Sequence, residues 1–299
     1  MIEPLRGILR HWDVDPTFIE PLGPHPNVAR VKEGMKVYYL KKREDLSIEK
    51  RWEEFYLTSY LLENRHCVES PLLTSSGYPF VKEGEQIYSL YKALEGRSLK
   101  IYSMTALANA GAYLSDIHLL FEGYRSQQEV VDWDIERHVK EWMSVLGNTS
   151  IGKRGAGLLS RIEGWKSYYT QLPHQIVHSD FHSGNILMKG EEIIGVIDFA
   201  RIRTAPRITD IAYFLAGLLK NSANKKRYDS IRCIQVFLDG YESNTSLTTT
   251  ENRLLPSIII LFLLQYAFLY SHQGYSEAGS SCMLFIEELI NSDYFQGLK

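Results

Sequence analysis

The spacing of apolar residues divides the chain into two unequal parts. In the first, short apolar runs alternate with polar positions between turn residues, the period-two pattern of strands. Residues 17–22, 27–32 and 36–42 read as strands, with Glu33-Gly34 as the turn between the last two. From Ser47 the period lengthens. Trp52, Phe55, Tyr56, Ser59 and Tyr60 recur at helical spacing, with Ser47 as N-cap and an end near Arg65. Two more strands are expected at 78–81 and 86–92, around the turn-like Lys82-Glu83-Gly84-Glu85.

After Gly96 the pattern is mostly helical. Leu107, Ala110, Leu114, Ile117 and Phe121 form one face of a helix over 104–121, with Gly111 inside it. Segments 130–146, 155–169, 207–219 and 228–241 follow the same period. Thr248 with Glu251 forms a capping box, opening a helical stretch to Tyr270 that Pro256 should kink or break. A last helix spans about 277–290. One island, 175–198, interrupts the helices with β-like runs at 175–177, 186–188 and 193–197. The pattern predicts an α+β chain: a small β-rich lobe (1–95), then a larger helical lobe (96–299).

Composition narrows the class. Hydrophobic residues make up 44% and charged residues 23% of 299 positions, as in soluble globular proteins. A formal net charge of −3 argues against a nucleic-acid partner. Cys67, Cys233 and Cys282 are too widely spaced for a zinc or redox motif, and a reducing cytoplasm is the natural compartment. The N-terminus is too polar for a signal peptide. The apolar run at 258–264 falls short of the roughly 20 residues a membrane span needs, and reads as a buried core helix. No membrane association is expected, and nothing in the chain bears on oligomeric state.

The chemistry concentrates in the island. Asp180 is followed five residues later by Asn185, and Asp198 lies thirteen further on, after the apolar run 193–197. Phosphoryl transfer to a hydroxyl needs a carboxylate to orient the nucleophile and accept its proton. It also needs oxygen ligands to hold Mg2+ against nucleotide phosphates. A His-x-Asp-x-x-x-x-Asn loop followed by an Asp after a strand is the kinase-fold solution to both demands.

This segment resembles the catalytic and metal-binding loops of the aminoglycoside phosphotransferase/choline kinase superfamily, the small-molecule relatives of protein kinases. The N-terminal part agrees. Residues 37–41, VYYLK, resemble the strand that ends in the phosphate-contacting lysine, and EEFYLTSYLLE resembles the helix carrying its glutamate partner. YKALEG, residues 91–96, resembles the adenine-contacting hinge, and ALANAGAYLSDIH the helix that follows it. The resemblance covers roughly residues 20–220 and implies a bilobal protein-kinase-like fold.

It also implies roles. Asp180 would be the catalytic base, and Asn185 and Asp198 the Mg2+ ligands. Lys41 would neutralise the α/β-phosphates of ATP, held by Glu54, with Glu53 the neighbouring alternative. Tyr39 and Ala93 would line the nucleotide site. His178 would buttress the loop, and Asp210 would brace it. The implied activity is Mg·ATP-dependent phosphorylation of a small-molecule hydroxyl: homoserine-, choline-, sugar- or aminoglycoside-like.

Three departures stand out. The phosphate-covering loop LGPHPNVARV holds one glycine, Gly23. Ala200 stands where many relatives have an acid, and Ser179 stands between His178 and Asp180 in place of the usual glycine. The first two favour an alternative, a non-catalytic kinase-fold protein with a structural role such as association with a spore coat.

Several other residues have structural readings. His118 reads as a core histidine, Arg201 and Arg203 as solvated loop cations or contacts to phosphate or an anionic substrate, and Tyr266, Phe268 and Tyr270 as lobe packing or a hydrophobic wall of a substrate pocket. His182 suits either substrate contact or a loop surface. Glu287, Glu288 and Asp293 read as an acidic helix face, which in aminoglycoside-modifying relatives grips cationic substrates.

Overall fold

The computed structural model describes residues 2–23, 27–43, 47–162, 164–220 and 230–291. Asp293, and part of the segment LGPHPNVARV, lie outside the described residues. The chain opens with a helix the apolar pattern did not signal, α1 (Ile2–Leu9). An antiparallel sheet follows: β1 (Phe18–Leu22), β2 (Val28–Glu33), β3 (Lys36–Arg43), β4 (Val81–Glu83) and β5 (Gln86–Lys92), in spatial order β1-β2-β3-β5-β4. β4 starts where the sequence placed its end. Its ladder runs Val81↔Tyr88 to Glu83↔Gln86 about the Gly84 turn, and Pro79, with no N–H, cannot extend it.

Period two sorts β3 cleanly. Tyr38 and Leu40 enter a core with Ile8, Trp12, Val31 and Leu90, while Tyr39, Lys41 and Arg43 take the opposite face. Helix α2 (Ile48–Glu63) begins where expected, because the Ser47 hydroxyl accepts from the Lys50 N–H.

The second core belongs chiefly to α3 (Met104–Gly123), α4 (Ile135–Leu146), α5 (Ser150–Ser160), α6 (Trp165–Tyr169), α7 (Ile208–Lys220), α8 (Ser230–Glu242), α9 (Thr249–His272) and α10 (Ser276–Asn291). Gly111 proves to be a packing residue. A Cβ there would sit 2.0 Å from the Phe237 carbonyl oxygen, and one at Gly240 would sit 2.0 Å from that of Ala108, so α3 and α8 cross backbone to backbone.

The helix read at 155–169 is two helices, broken at Gly164 with φ 95°. The one read from 130 starts at the Asp134 cap, because the Trp133 N–H donates to Thr204. Pro256 does not break α9, which runs unbroken through 24 residues with its capping box in place. Leu254, Leu255, Ile258 and Ile259 are buried around the proline, so packing outweighs the lost hydrogen bond. α9 is long and apolar enough to cross a membrane by length and composition, but most of it is buried in the protein core, as the sequence reading expected.

The island forms two ribbons. β7 (Ile186–Lys189) pairs with β8 (Glu192–Val196). β6 (Gln175–Val177) pairs with β9 (Arg203–Ala205), a strand missing from the sequence reading.

Candidate active site

The catalytic-loop candidates are positioned from behind. Asp210, fully buried in the first turn of α7, accepts from the backbone N–H of His178 at 2.7 Å and of Ser179 at 2.8 Å. The buried His118 ring contacts the same carboxylate at 3.2 Å and the Tyr241 hydroxyl at 2.8 Å. A buried carboxylate is tolerated because donors surround it. His178 lies inside the loop, its Nε2 3.2 Å from the Ile197 carbonyl, which matches the buttress expected of it.

This frame presents Asp180, only 7% exposed. Its Oδ1 accepts from the Tyr213 hydroxyl at 3.0 Å, and the Asn185 amide donates to its backbone carbonyl at 3.0 Å. The amide nitrogen of Asn185 is thus engaged, leaving its carbonyl oxygen as the acceptor. Ser179 adopts φ 61°, the left-handed region that glycine enters without cost, so serine is tolerated there with some strain.

Asp198 also sits at positive φ (66°), with 35% of its side chain exposed to the cleft. Burial pushes its carboxyl up, but Lys41, Arg43, His178 and Arg201 outweigh that and hold it below the usual range. Lys41 Nζ and Arg43 each stand 3.7 Å from Asp198 Oδ1. Those separations are too long for hydrogen bonds and leave that oxygen accessible to a ligand.

The expected Lys41–Glu54 pair does not form. Glu54 binds Arg43 at 2.8 Å, Arg51 at 3.0 Å and the Tyr91 hydroxyl at 2.6 Å. Lys41 is held instead by Glu69, at 2.6 Å, and its Nζ lies 4.7 Å over the Tyr91 ring. Glu69 Oε2 also accepts from the Asp198 N–H at 3.1 Å, so one buried carboxylate joins the lysine to the backbone at Asp198. The cause is strand periodicity. Lys41 and Arg43 share a face, and the helical glutamate takes the cation one step further along. Glu53 serves elsewhere, capping the backbone N–H groups of Gln127 and Gln128.

A cavity of about 370 Å³ lies between Leu22, Val28, Tyr39, Lys41, Leu94 and Gly96 on one side and Leu187, Ile197 and Asp198 on the other. Tyr39 and Lys41 therefore face one cleft. Ala93 does not line it: its N–H is spent on the Val37 carbonyl, and Leu94 and Gly96 form the wall there.

Arg43, Glu69 and Tyr213 were missed in the sequence. Arg43 could have been found two positions beyond Lys41 on the same strand face. Tyr213 stands three residues after Asp210, on the same helix face. Glu69 is signalled only as a carboxylate beside Val68 in a largely apolar stretch.

Comparisons with known proteins bear on the family and the fold. The Phosphotransferase enzyme family (APH) matches residues 25–248. A homoserine kinase of Methylobacillus flagellatus is 24% identical over 226 residues, 74% of this chain and 68% of its own length. One from Methylobacillus glycogenes is 24% identical over 233 residues, 77% of this chain and 71% of that protein. Amicoumacin kinase hAmiN, solved in complex with AMP-PNP, Ca2+ and Ami, has a similar fold: TM-score 0.80 at 18% identity, covering 99% of this chain and 96% of that one. The microcompartment-associated aminopropanol kinase superposes with TM-score 0.76 at 16% identity, over 100% and 99% of the two chains. The chain belongs to the phosphotransferase enzyme family, as a small-molecule phosphotransferase of protein-kinase-like fold.

Proposed function

We propose that this phosphotransferase moves the γ-phosphoryl group of ATP, bound with Mg2+, to a hydroxyl of a small molecule in the cytoplasm. The observation that carries the reading is that Asp198 lines the cleft and Asp180 shares the cation Arg201 with it. Asp198 stands at the cationic end beside Lys41 and Arg43, and Asp180 lies in the loop below with its Oδ1 4.0 Å from Arg201. The cavity above Asp198 fits a nucleotide between Tyr39, Leu94 and Leu187, with its phosphates toward Lys41. The lobe boundary near residues 95 and 96 belongs to this reading, because Leu94 and Gly96 form the hinge wall of that cavity.

The donor set suits Mg2+, which takes one or two protein oxygens and completes its shell with phosphate and water. Asp198 supplies an open carboxylate, and Asn185 a carbonyl oxygen freed by the engagement of its amide nitrogen. Bound there, Mg2+ would neutralise phosphate charge. Tyr213 fixes the Asp180 rotamer through Oδ1 and the Asn185 amide nitrogen lies 3.4 Å from Oδ2, so the carboxylate is held in place to orient the acceptor hydroxyl and take its proton. Lys41, Arg43 and Arg201 offset charge on the transferring group. The acceptor is an alcohol, as in the homoserine and aminopropanol kinases this chain resembles.

Thermal unfolding with and without Mg·ATP tests the reading. At about 100 times Kd a ligand of the folded state adds about 2.7 kcal/mol. The wild type and Asp180→Asn should both rise in Tm, and Asp198→Asn should lose the Mg-dependent part. No shift with millimolar ATP or GTP would turn the reading to a non-catalytic kinase-fold protein.

A further inference from the structure

Next to the loop that carries Asp180, with His182 and Ser183 in its wall, lies a smaller cavity of about 150 Å³. Tyr213 and His182 line it, and both reach Asp180 Oδ1, at 3.0 and 3.7 Å, so two of its lining residues touch the proposed base. Its far wall carries Lys100, Lys220 and Tyr266, and among the described residues no acid lines it. Resting on the phosphotransferase reading, we propose that this is the acceptor site and that it takes a short hydroxy acid, with the carboxylate on Lys220 and the hydroxyl on Asp180.

A lysine closing a helix needs no ligand, since it already complements the helix dipole. Lys220 is placed differently from a solvated cap. Its Nζ lies 3.3 Å from the centroid of the Tyr266 ring, which stacks with Tyr213 at 6.0 Å. Among the described residues no carboxylate forms an ion pair with it. Burial lowers its ammonium to about 8, so it is still charged at neutral pH and rests in a site that disfavours the charge. A bound carboxylate would relieve that penalty.

Lys220 stands seven residues after Tyr213, two turns of α7, and helical side chains lean toward the N-terminus, here toward Tyr213. The volume is below the roughly 300–1,000 Å³ of pockets for drug-sized ligands, and the lysines repel cationic amino sugars and amino alcohols. In the reaction the acceptor oxygen bonds to the γ-phosphorus as the bond to the β-phosphate oxygen breaks. The hydroxyl proton passes to Asp180 and then to solvent, and ADP and the phosphorylated acid leave.

The test is ADP release with matched acceptors: 4-hydroxybutyrate and its amide, L-homoserine and its amide, and 1-amino-2-propanol. The acids should exceed their amides in kcat/KM by about tenfold or more, the loss expected for an unpaired charge-assisted contact. Lys220→Met should raise KM for the acids by a similar factor and leave KM for the amides and for ATP unchanged, with Lys220→Arg restoring part. Preference for amides or for the amino alcohol, or an equal effect of Lys220→Met on every acceptor, overturns the proposal while the phosphotransferase reading stands. If no acceptor turns over, calorimetry of both acids against Asp180→Asn loaded with Mg·AMP-PNP decides. Binding that Lys220→Met abolishes supports the site, and no binding overturns it. Failure to bind Mg·AMP-PNP, by contrast, overturns the phosphotransferase reading itself.

Discussion

The two ends of the cleft are built on different principles. The Asp180 loop is short and mostly local: Asp180, Asn185, His178 and Ser179 contact one another or the brace Asp210, with Tyr213 and Ile197 as further partners. The phosphate end is assembled across β3, β5, α2 and the segment after α2, and its charges form one network through Tyr91, Glu54, Glu69, Lys41 and Arg43. A local motif has few ways to be satisfied. A network of three cations, Lys41, Arg43 and Arg51, and two carboxylates on neighbouring elements has several, and choosing among them is a matter of register and reach.

That contrast can be broken experimentally. The largest expected effect is at the brace: Asp210→Ala leaves two buried N–H groups and a buried histidine without their acceptor. It should cost about 3–5 kcal/mol in urea unfolding, with turnover falling in parallel. Loss of turnover with unchanged stability would mean that Asp210 acts on the chemistry and not on the loop.

A double-mutant cycle addresses the phosphate end. Lys41→Met with Glu69→Gln should show a coupling of about 1–3 kcal/mol, and Lys41→Met with Glu54→Gln less than about 0.5. The reverse order would restore the lysine–glutamate pairing expected from the sequence.

Acid extends the comparison to the ion pair beside the brace. Burial raises the Glu251 carboxyl, but Arg207, bonded at 2.7 and 3.0 Å, and the Thr248 N–H bring it below its ordinary value. A lowered folded value means that the stabilisation is complete above the unfolded carboxylate value of about 4.3 and is lost as pH falls through the folded one. Urea midpoints should therefore drop below that pH in the wild type, and drop less in Arg207→Met. The smallest effect is Ser179→Gly, which relieves positive φ and should stabilise by up to about 1 kcal/mol, provided the unfolded chain's added freedom does not cancel it.

The legible part of the protein follows the same division. Strands β1 to β3, the Ser47 cap, the capping box before α9 and the β-like runs of the island could all be read, because each depends on periodicity or on residues a few positions apart. Pro256 misled because its local cost is outweighed by burial along α9. The helix read at 155–169 split because Gly164 takes a left-handed turn that an apolar period does not reveal. β9 escaped notice because three residues with no alternation become a strand only beside β6.

By itself, then, the sequence determined the α+β order, the two-part division and the β-ribbon island whose loops carry Asp180, Asn185 and Asp198. Local propensities and short-range hydrogen bonds decide those features before the chain is packed. Only the tertiary structure decided that Glu69, not Glu54, holds Lys41, that Tyr213 holds Asp180, and that Lys220 lies over Tyr266 beside the same loop. Those contacts join segments far apart in the chain, and burial selects among pairings that sequence spacing alone leaves equivalent.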